Sequence, residues 1–245
     1  GDVLTGIIAA MLAQGLSTEQ AALRAGAGRV SIATDADHAA VLTATCPELM
    51  SHAVTQAGDL APLMDKADVI AFGPGLGRSE WAKAMFEVVA ADARPAVWDA
   101  DALNWLADTP NRAESRIITP HPGEAGALLK LSTTEIQADR TAAVNALQER
   151  FGGVSVLKGA GSLVSAGAEA PYVCTSGNPG MAAAGMGDVL TGIIAAMLAQ
   201  GLSTEQAALA GVQGHAEAGD SAARGGERGL IASDLIAALR AVLNP

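Results

Sequence analysis

Aromatic side chains make up only 3% of the chain. Platforms that stack single-stranded bases are built from such rings, so their scarcity speaks against that class of ligand. Positive charge is scarce too: 15 Lys and Arg against 26 Asp and Glu leave a net charge of −11, and the lysines are Lys66, Lys83, Lys130 and Lys158. A field of that sign repels phosphates at long range, which excludes nucleic acid and leaves any nucleotide to be held by backbone donors and a few placed cations. Cys46 and Cys174 form no CxxC pair. Neither a disulfide framework nor a thiolate zinc site is indicated, and a reducing cytoplasm fits best. His38, His52 and His215 show no metal-ligand spacing. The longest apolar run, around residues 189–199, is short of the ~20 residues that span a bilayer, so no membrane association is expected. The apolar amino terminus lacks a basic stretch and an initiator Met, and reads as a cut end, not a signal peptide.

What the chain does have is Ala, Val, Leu and Ile. At 245 residues, with no linker-like stretch, it is long enough for one α/β domain over residues 1–245. Strands are predicted near 30–34, 68–72, 95–99, 117–119 and 154–157, and helices near 79–92, 101–107, 122–130, 133–149, 188–200, 204–220 and 232–243. Ser132 to Glu135 and Ser203 to Gln206 have capping-box spacing. Strand-then-helix alternation predicts a mostly parallel sheet covered on both faces, with ligands collecting at the carboxyl ends of its strands. Four polar or glycine-rich turns follow predicted strands: Gly73-Pro74-Gly75-Leu76-Gly77, Asp99 to Asn104, Thr119 to Glu124, and Lys158 to Ser162.

The most informative stretch runs from Gly177 to Asp188 and leads into an apolar helix. Side chains are nearly absent where the helix begins, so free N–H groups and the helix dipole can close around an anion. A carboxylate at Asp188 is unwelcome beside a phosphate unless it acts as a base or helps hold a metal; the bland alternative is that it only complements the dipole. The other motifs have structural readings as well. Gly-Pro-Gly turns are common in purely structural places. Asp99 and Asp101 suit a metal or substrate hydroxyls, and Asp101 also suits an N-cap, the reading favoured here. His121, held between Pro120 and Pro122, is either a solvated turn residue or a substrate contact. Glu124 either holds a magnesium-bound water or complements a helix dipole. Lys158, ahead of Gly159-Ala160-Gly161-Ser162, is placed to meet a phosphate, or else snorkels to the surface.

Residues 1–23 repeat residues 187–209 letter for letter, after which Arg24-Ala25-Gly26 and Ala210-Gly211-Val212 diverge. Ordinary structural repeats drift and recur at short periods, so this is a splice and not a solenoid. The first copy carries the aspartate as Asp2 but has no glycine-rich loop before it. Helix is therefore expected there without an anion cradle.

Together the GPGLG, DADALN, TPHPGE, LKGAGS and GNPGMAAAGMGD runs resemble the NAD(P)H-hydrate dehydratase family over about residues 21–245. The resemblance implies a three-layer αβα, ribokinase-like fold. It also implies a metabolite repair reaction, in which ADP or ATP with Mg2+ drives dehydration of (S)-NADH hydrate or (S)-NADPH hydrate by phosphorylating the ring hydroxyl and releasing phosphate. Carried onto this chain, the nucleotide site is Lys158, Gly159, Ala160, Gly161 and Ser162 with Gly185, Met186 and Gly187. The substrate contacts are Gly75, Gly77, His121 and Asp188, with Asp188 as the catalytic base and Glu124 meeting the metal through water. A homo-oligomer, a tetramer among the options, is expected. The family normally opens with a β-strand and a glycine-rich turn, and residues 1–23 are expected to replace that strand, so nucleotide binding should survive better than turnover. Two alternatives stay open: a small-molecule kinase of the same fold acting on a vitamin-precursor alcohol, and an impaired nucleotide-binding chimera.

Overall fold

The computed structural model describes residues 5–9, 17–167 and 169–244. The elements in chain order are β1 (Thr5–Ala9), α1 (Ser17–Arg24), β2 (Arg29–Thr34), α2 (Ala36–Thr45), β3 (Met50–Ala53), α3 (Ala61–Met64), β4 (Ile70–Phe72), α4 (Glu80–Ala90), β5 (Ala96–Trp98), α5 (Asp101–Asp108), β6 (Arg116–Ile118) and α6 (Pro122–Leu129). They continue with α7 (Thr133–Ala138), α8 (Arg140–Phe151), β7 (Val154–Leu157), β8 (Leu163–Ser165), β9 (Tyr172–Val173), α9 (Met186–Ala199), α10 (Thr204–Ala222) and α11 (Ala232–Val242). All five strands and all seven helices predicted from the pattern are present. The helix expected over 133–149 is broken at Asp139, whose carboxylate accepts from the Ala142 amide and starts a new helix there. Both predicted capping boxes form.

The strands make one sheet in the order β3-β2-β1-β4-β5-β6-β7-β8-β9. From β3 to β7 every pairing is parallel, and β8 and β9 add an antiparallel edge. Strand order reverses between β1 and β4, the kind of switch point where α/β sheets bind ligands. The central strands are buried on both faces. Val97, Ile117 and Val156 pack with Ile193, Ile194 and Leu239 on one side, while Trp98, Ile118 and Leu157 pack with Phe86, Leu103 and Leu147 on the other. Helices cover both faces, giving the three-layer α/β fold. No helix among the described residues is long and apolar enough to cross a membrane.

The amino-terminal copy departs from expectation. Thr5–Ala9 is a strand in the middle of the sheet, between β2 and β4, whereas the same five letters at 191–195 lie inside α9. The copied segment therefore supplies an opening strand instead of deleting one; Asp2 lies outside the described residues. The reason is context: Thr and Ile are at home in strands, and a gap between two parallel neighbours completes their hydrogen-bond ladders. Residues 18–23 of the copy are helical in both places, in α1 and at the start of α10.

The helices α1 and α9 cross at Gly192, where a Cβ would stand 2.0 Å from the Thr18 carbonyl oxygen. Gly192→Ala must push α1 off the sheet. A loss of about 1–3 kcal/mol is expected, read as a lower urea midpoint.

Candidate active site

Parallel register puts the ends of the central strands side by side. Phe72 pairs with Trp98 and Trp98 with Ile118, so the turns beginning at Gly73, Asp99 and Thr119 share one edge. The Lys158 amide joins them by donating to the Pro120 carbonyl at 2.9 Å. The four turns singled out in the sequence do line one rim.

The first turn is held down from below. At Gly73 (φ 123°) a Cβ would sit 1.9 Å from the Asp99 carbonyl oxygen, so only glycine lets this turn lie on the next. Gly75 and Gly77 have φ of 70° and 72°. The Gly77 amide donates to Asp101 at 2.8 Å, and the Trp105 indole donates to the Gly77 carbonyl at 3.0 Å. Asp101 is thus not the N-cap it was expected to be. Ala100 occupies that place, at φ 50°, and Asp101 clamps the GPGLG turn.

His121 caps α6 with its side chain. Its Nδ1 accepts from the Gly123 and Glu124 amides at 3.0 and 3.2 Å, and the Glu124 carboxylate accepts from the His121 amide at 2.8 Å. This reciprocal box fixes both residues and leaves the half-exposed imidazole edge at the rim, with Nε2 3.5 Å from Glu124.

Lys158 does not reach freely toward solvent. Its ammonium lies 2.6 Å from Asp99 and 3.8 Å from Glu124, and the other Asp99 oxygen accepts from the Thr191 hydroxyl at 3.1 Å. Burial alone would lower the ammonium's pKa; the Asp99 and Glu124 carboxylates outweigh it and raise the value. Glu124 is raised by burial, with Lys158 opposing. Asp99, only 1% exposed, therefore fixes Lys158 under the rim.

The cradle closes the ring. Gly185, at φ 82°, is the N-cap of α9 and has no side chain to offer. The Met186 amide reaches back to the Ala183 carbonyl at 3.4 Å, so it is not one of the free donors expected of it. Among the described residues the Gly185, Gly187 and Asp188 amides have no protein acceptor. A Cβ on Gly187 would stand 3.1 Å from the Lys158 ammonium, so glycine lets the helix end come down onto the ion pair. Burial pushes the Asp188 carboxyl up to about 6, the Asp99 carboxylate adding to the shift and Lys158 opposing it. The Asp188 carboxyl thus stands close to a buried cation at the open end of the helix.

Several supporting residues carried weak sequence signals. Thr191 follows Asp188 by three, which puts it on the same helix face. His215 sits on α10, where burial pulls its pKa down to about 4; neutral, it donates through Nε2 to the Met186 carbonyl at 2.9 Å. Asp220 holds the loop's start by accepting from the Gly177 amide and the Asn178 side chain. Glu19 on α1 is wholly buried. Among the described residues neither of its oxygens is bonded by another residue, and burial raises its pKa to about 8, its own backbone amide opposing and Asp188 adding. Among the described residues no three His, Cys, Asp or Glu side chains cluster to hold a metal.

Comparison with known proteins agrees with this geometry. The Carb_kinase family, described as NAD(P)H-hydrate dehydratase, matches residues 15–240. The bifunctional NAD(P)H-hydrate repair enzyme Nnr of Coxiella burnetii is 52% identical over 227 residues, covering 92% of this chain and 46% of that protein. The chain thus spans about half the length of that curated relative. The ADP-dependent (S)-NAD(P)H-hydrate dehydratase of Neisseria meningitidis is 41% identical over 81% of this chain and 69% of its own length. The solved ADP/ATP-dependent NAD(P)H-hydrate dehydratase of Bacillus subtilis, co-crystallized with ATP/Mg2+ and soaked with CoA, superposes with a TM-score of 0.84 at 25% identity, over 99% of this chain and 92% of that one. With the rim, the cradle and the fold in accord, this chain belongs to the NAD(P)H-hydrate dehydratase family.

Proposed function

We propose that this chain is a nucleotide-dependent dehydratase of (S)-hydrated NADH or NADPH, using ADP as its relative from Neisseria does. Asp188 takes the proton from the ring hydroxyl as that oxygen attacks the terminal phosphorus. The bridging P–O bond breaks toward the nucleotide; the phosphorylated ring then expels phosphate, the ring nitrogen's electron pair assisting, and the neighbouring ring carbon gives up a proton to the departing phosphate or to water, which regenerates the dihydronicotinamide. The amides of Gly185 and Gly187 donate to the phosphoryl oxygens as charge develops. Lys158 to Ser162 hold the nucleotide, and Gly75, Gly77 and His121 face the hydrated substrate. The single observation that carries this reading is the Asp188 carboxyl, raised to about 6 at a helix terminus whose amides have no acceptor among the described residues.

Magnesium belongs to the same proposal, and the donor set limits its place. Without a cluster of three ligands among the described residues, the ion would travel on the nucleotide phosphates, with Glu124 meeting it through water. The two buried free thiols, Cys46 and Cys174, suit the reducing cytoplasm assigned here. A homo-oligomer also belongs to this reading.

Glu19 favours a second reading, impaired turnover, because the copied segment sets a buried carboxyl near Asp188. The test is to incubate the chain with ADP and hydrated NADPH. We expect the reduced-nicotinamide absorbance to appear with one free phosphate per turnover. A stable phosphorylated product would make the chain a kinase, and ADP binding without product would mark it as impaired.

A further inference from the structure

The loop proposed to hold the nucleotide is itself held by Arg140. Because Asp139 caps a new helix, α8 begins at Arg140, and the guanidinium reaches the loop that follows β7. Its Nη1 donates to the Ala160 carbonyl at 2.7 Å, and its Nη2 donates to those of Leu157 and Lys158 at 3.2 and 3.4 Å. Among the described residues no carboxylate lies within ion-pair distance of Arg140, so its charge is neutralised by nothing but backbone dipoles. Gly159, at φ 153°, is the residue it displaces: a Cβ there would stand 2.8 Å from Nη2.

A trans peptide points its carbonyl and its N–H in opposite directions. With the Lys158 and Ala160 carbonyls turned toward the guanidinium, the Gly159 and Gly161 amides must face the other way. Among the described residues neither amide has a protein acceptor. Outward N–H groups gathered in one turn and backed by a fixed cation make an anion-binding concavity.

We propose that Arg140 is the positioning residue of the nucleotide loop: by gathering three carbonyls it turns the Gly159 and Gly161 amides onto the phosphates of a nucleoside diphosphate. The proposal rests on the nucleotide reading given above. It assigns Arg140 to binding and not to the chemical step, which takes place at Asp188.

The experiment is calorimetric titration with ADP, together with steady-state kinetics, on the wild-type chain and on Arg140→Gln, Arg140→Lys, Gly159→Ala and the double variant Arg140→Gln/Gly159→Ala. Arg140→Gln should weaken ADP binding at least tenfold and raise KM for ADP alike, with kcat at saturating ADP within about threefold of wild type. Arg140→Lys, which keeps the charge but not the fork, should fall between. Gly159→Ala displaces the same guanidinium, so in the double variant its loss of ADP affinity should not add in full to that of Arg140→Gln. If Arg140→Gln fails to fold, the Lys and Gly159 variants carry the test. Unchanged ADP affinity in a folded variant, or a loss in kcat alone, overturns the role. Amide exchange separates this failure from that of the parent reading. ADP that binds wild type without protecting the Gly159 and Gly161 amides removes the nucleotide site and this proposal with it. Protection combined with unchanged affinity in the variants overturns Arg140 alone.

Discussion

Asp188→Asn should lower turnover by about three orders of magnitude, the middle of the range that a positioned general base supplies, while ADP binds at least as tightly as to wild type. The amide keeps the shape of the carboxylate but cannot take a proton, and it removes a negative charge from beside the phosphate. The remaining anchors, the Lys158–Asp99 pair and the Asp99–Thr191 hydrogen bond, are untouched. In wild type, kcat/KM should fall with unit slope as pH drops below about 6, because the base form of Asp188 is lost there. Pre-steady-state phosphate release, measured alongside ADP titration, checks both halves. A variant that still releases phosphate at the wild-type rate removes Asp188 from the chemistry.

The second large effect is on stability and comes from Glu19. Its carboxyl is wholly buried, is bonded by no other residue among those described, and is raised from 4.5 to about 8 by burial, its own backbone amide opposing and Asp188 adding to the shift. A group whose folded value lies above its unfolded one is least costly when protonated, so the chain is most stable below about pH 4.5 as far as Glu19 is concerned. That stability drains away as pH rises toward 8. At about 1.4 kcal/mol per pKa unit the full loss is on the order of 5 kcal/mol. Glu19→Met, which keeps the volume without the charge, should therefore raise the urea midpoint at pH 8 strongly and at pH 5 little. Equal midpoints at pH 8 would show that Glu19 is not enclosed between α1 and α9. The two titrations pull in opposite directions, since Asp188 needs a pH above 6 and the fold prefers a lower one.

Glu19 also shows what a sequence can and cannot disclose. Its twin, Glu205, is an exposed residue in the first turn of α10, and nothing in the shared letters distinguishes them. The same holds for Thr5–Ala9, a strand, and its helical copy in α9. Identical local propensity yields to whichever neighbours remain unsatisfied, so the opening strand was illegible from the pattern. The rim was legible, because glycines and polar residues after β-branched runs mark strand ends whatever the packing. The cradle was legible for a similar reason: a run without side chains before an apolar helix leaves its amides open. What stayed hidden depended on distance across the fold. Asp101 looked like a cap until Gly77 was found to donate to it from 24 residues away, and Lys158 looked free until Asp99 and Glu124 were seen around it. Arg140 gave no local sign at all, because its partners become neighbours only when α8 packs beside β7.

The most direct test is a crystal structure of Asp188→Asn with ADP and the hydrated dinucleotide bound. The terminal phosphate should lie within hydrogen-bond distance of the Gly187 amide, with the ring hydroxyl beside residue 188. A phosphate seated elsewhere on the sheet, or a hydroxyl facing away from residue 188, would contradict the account.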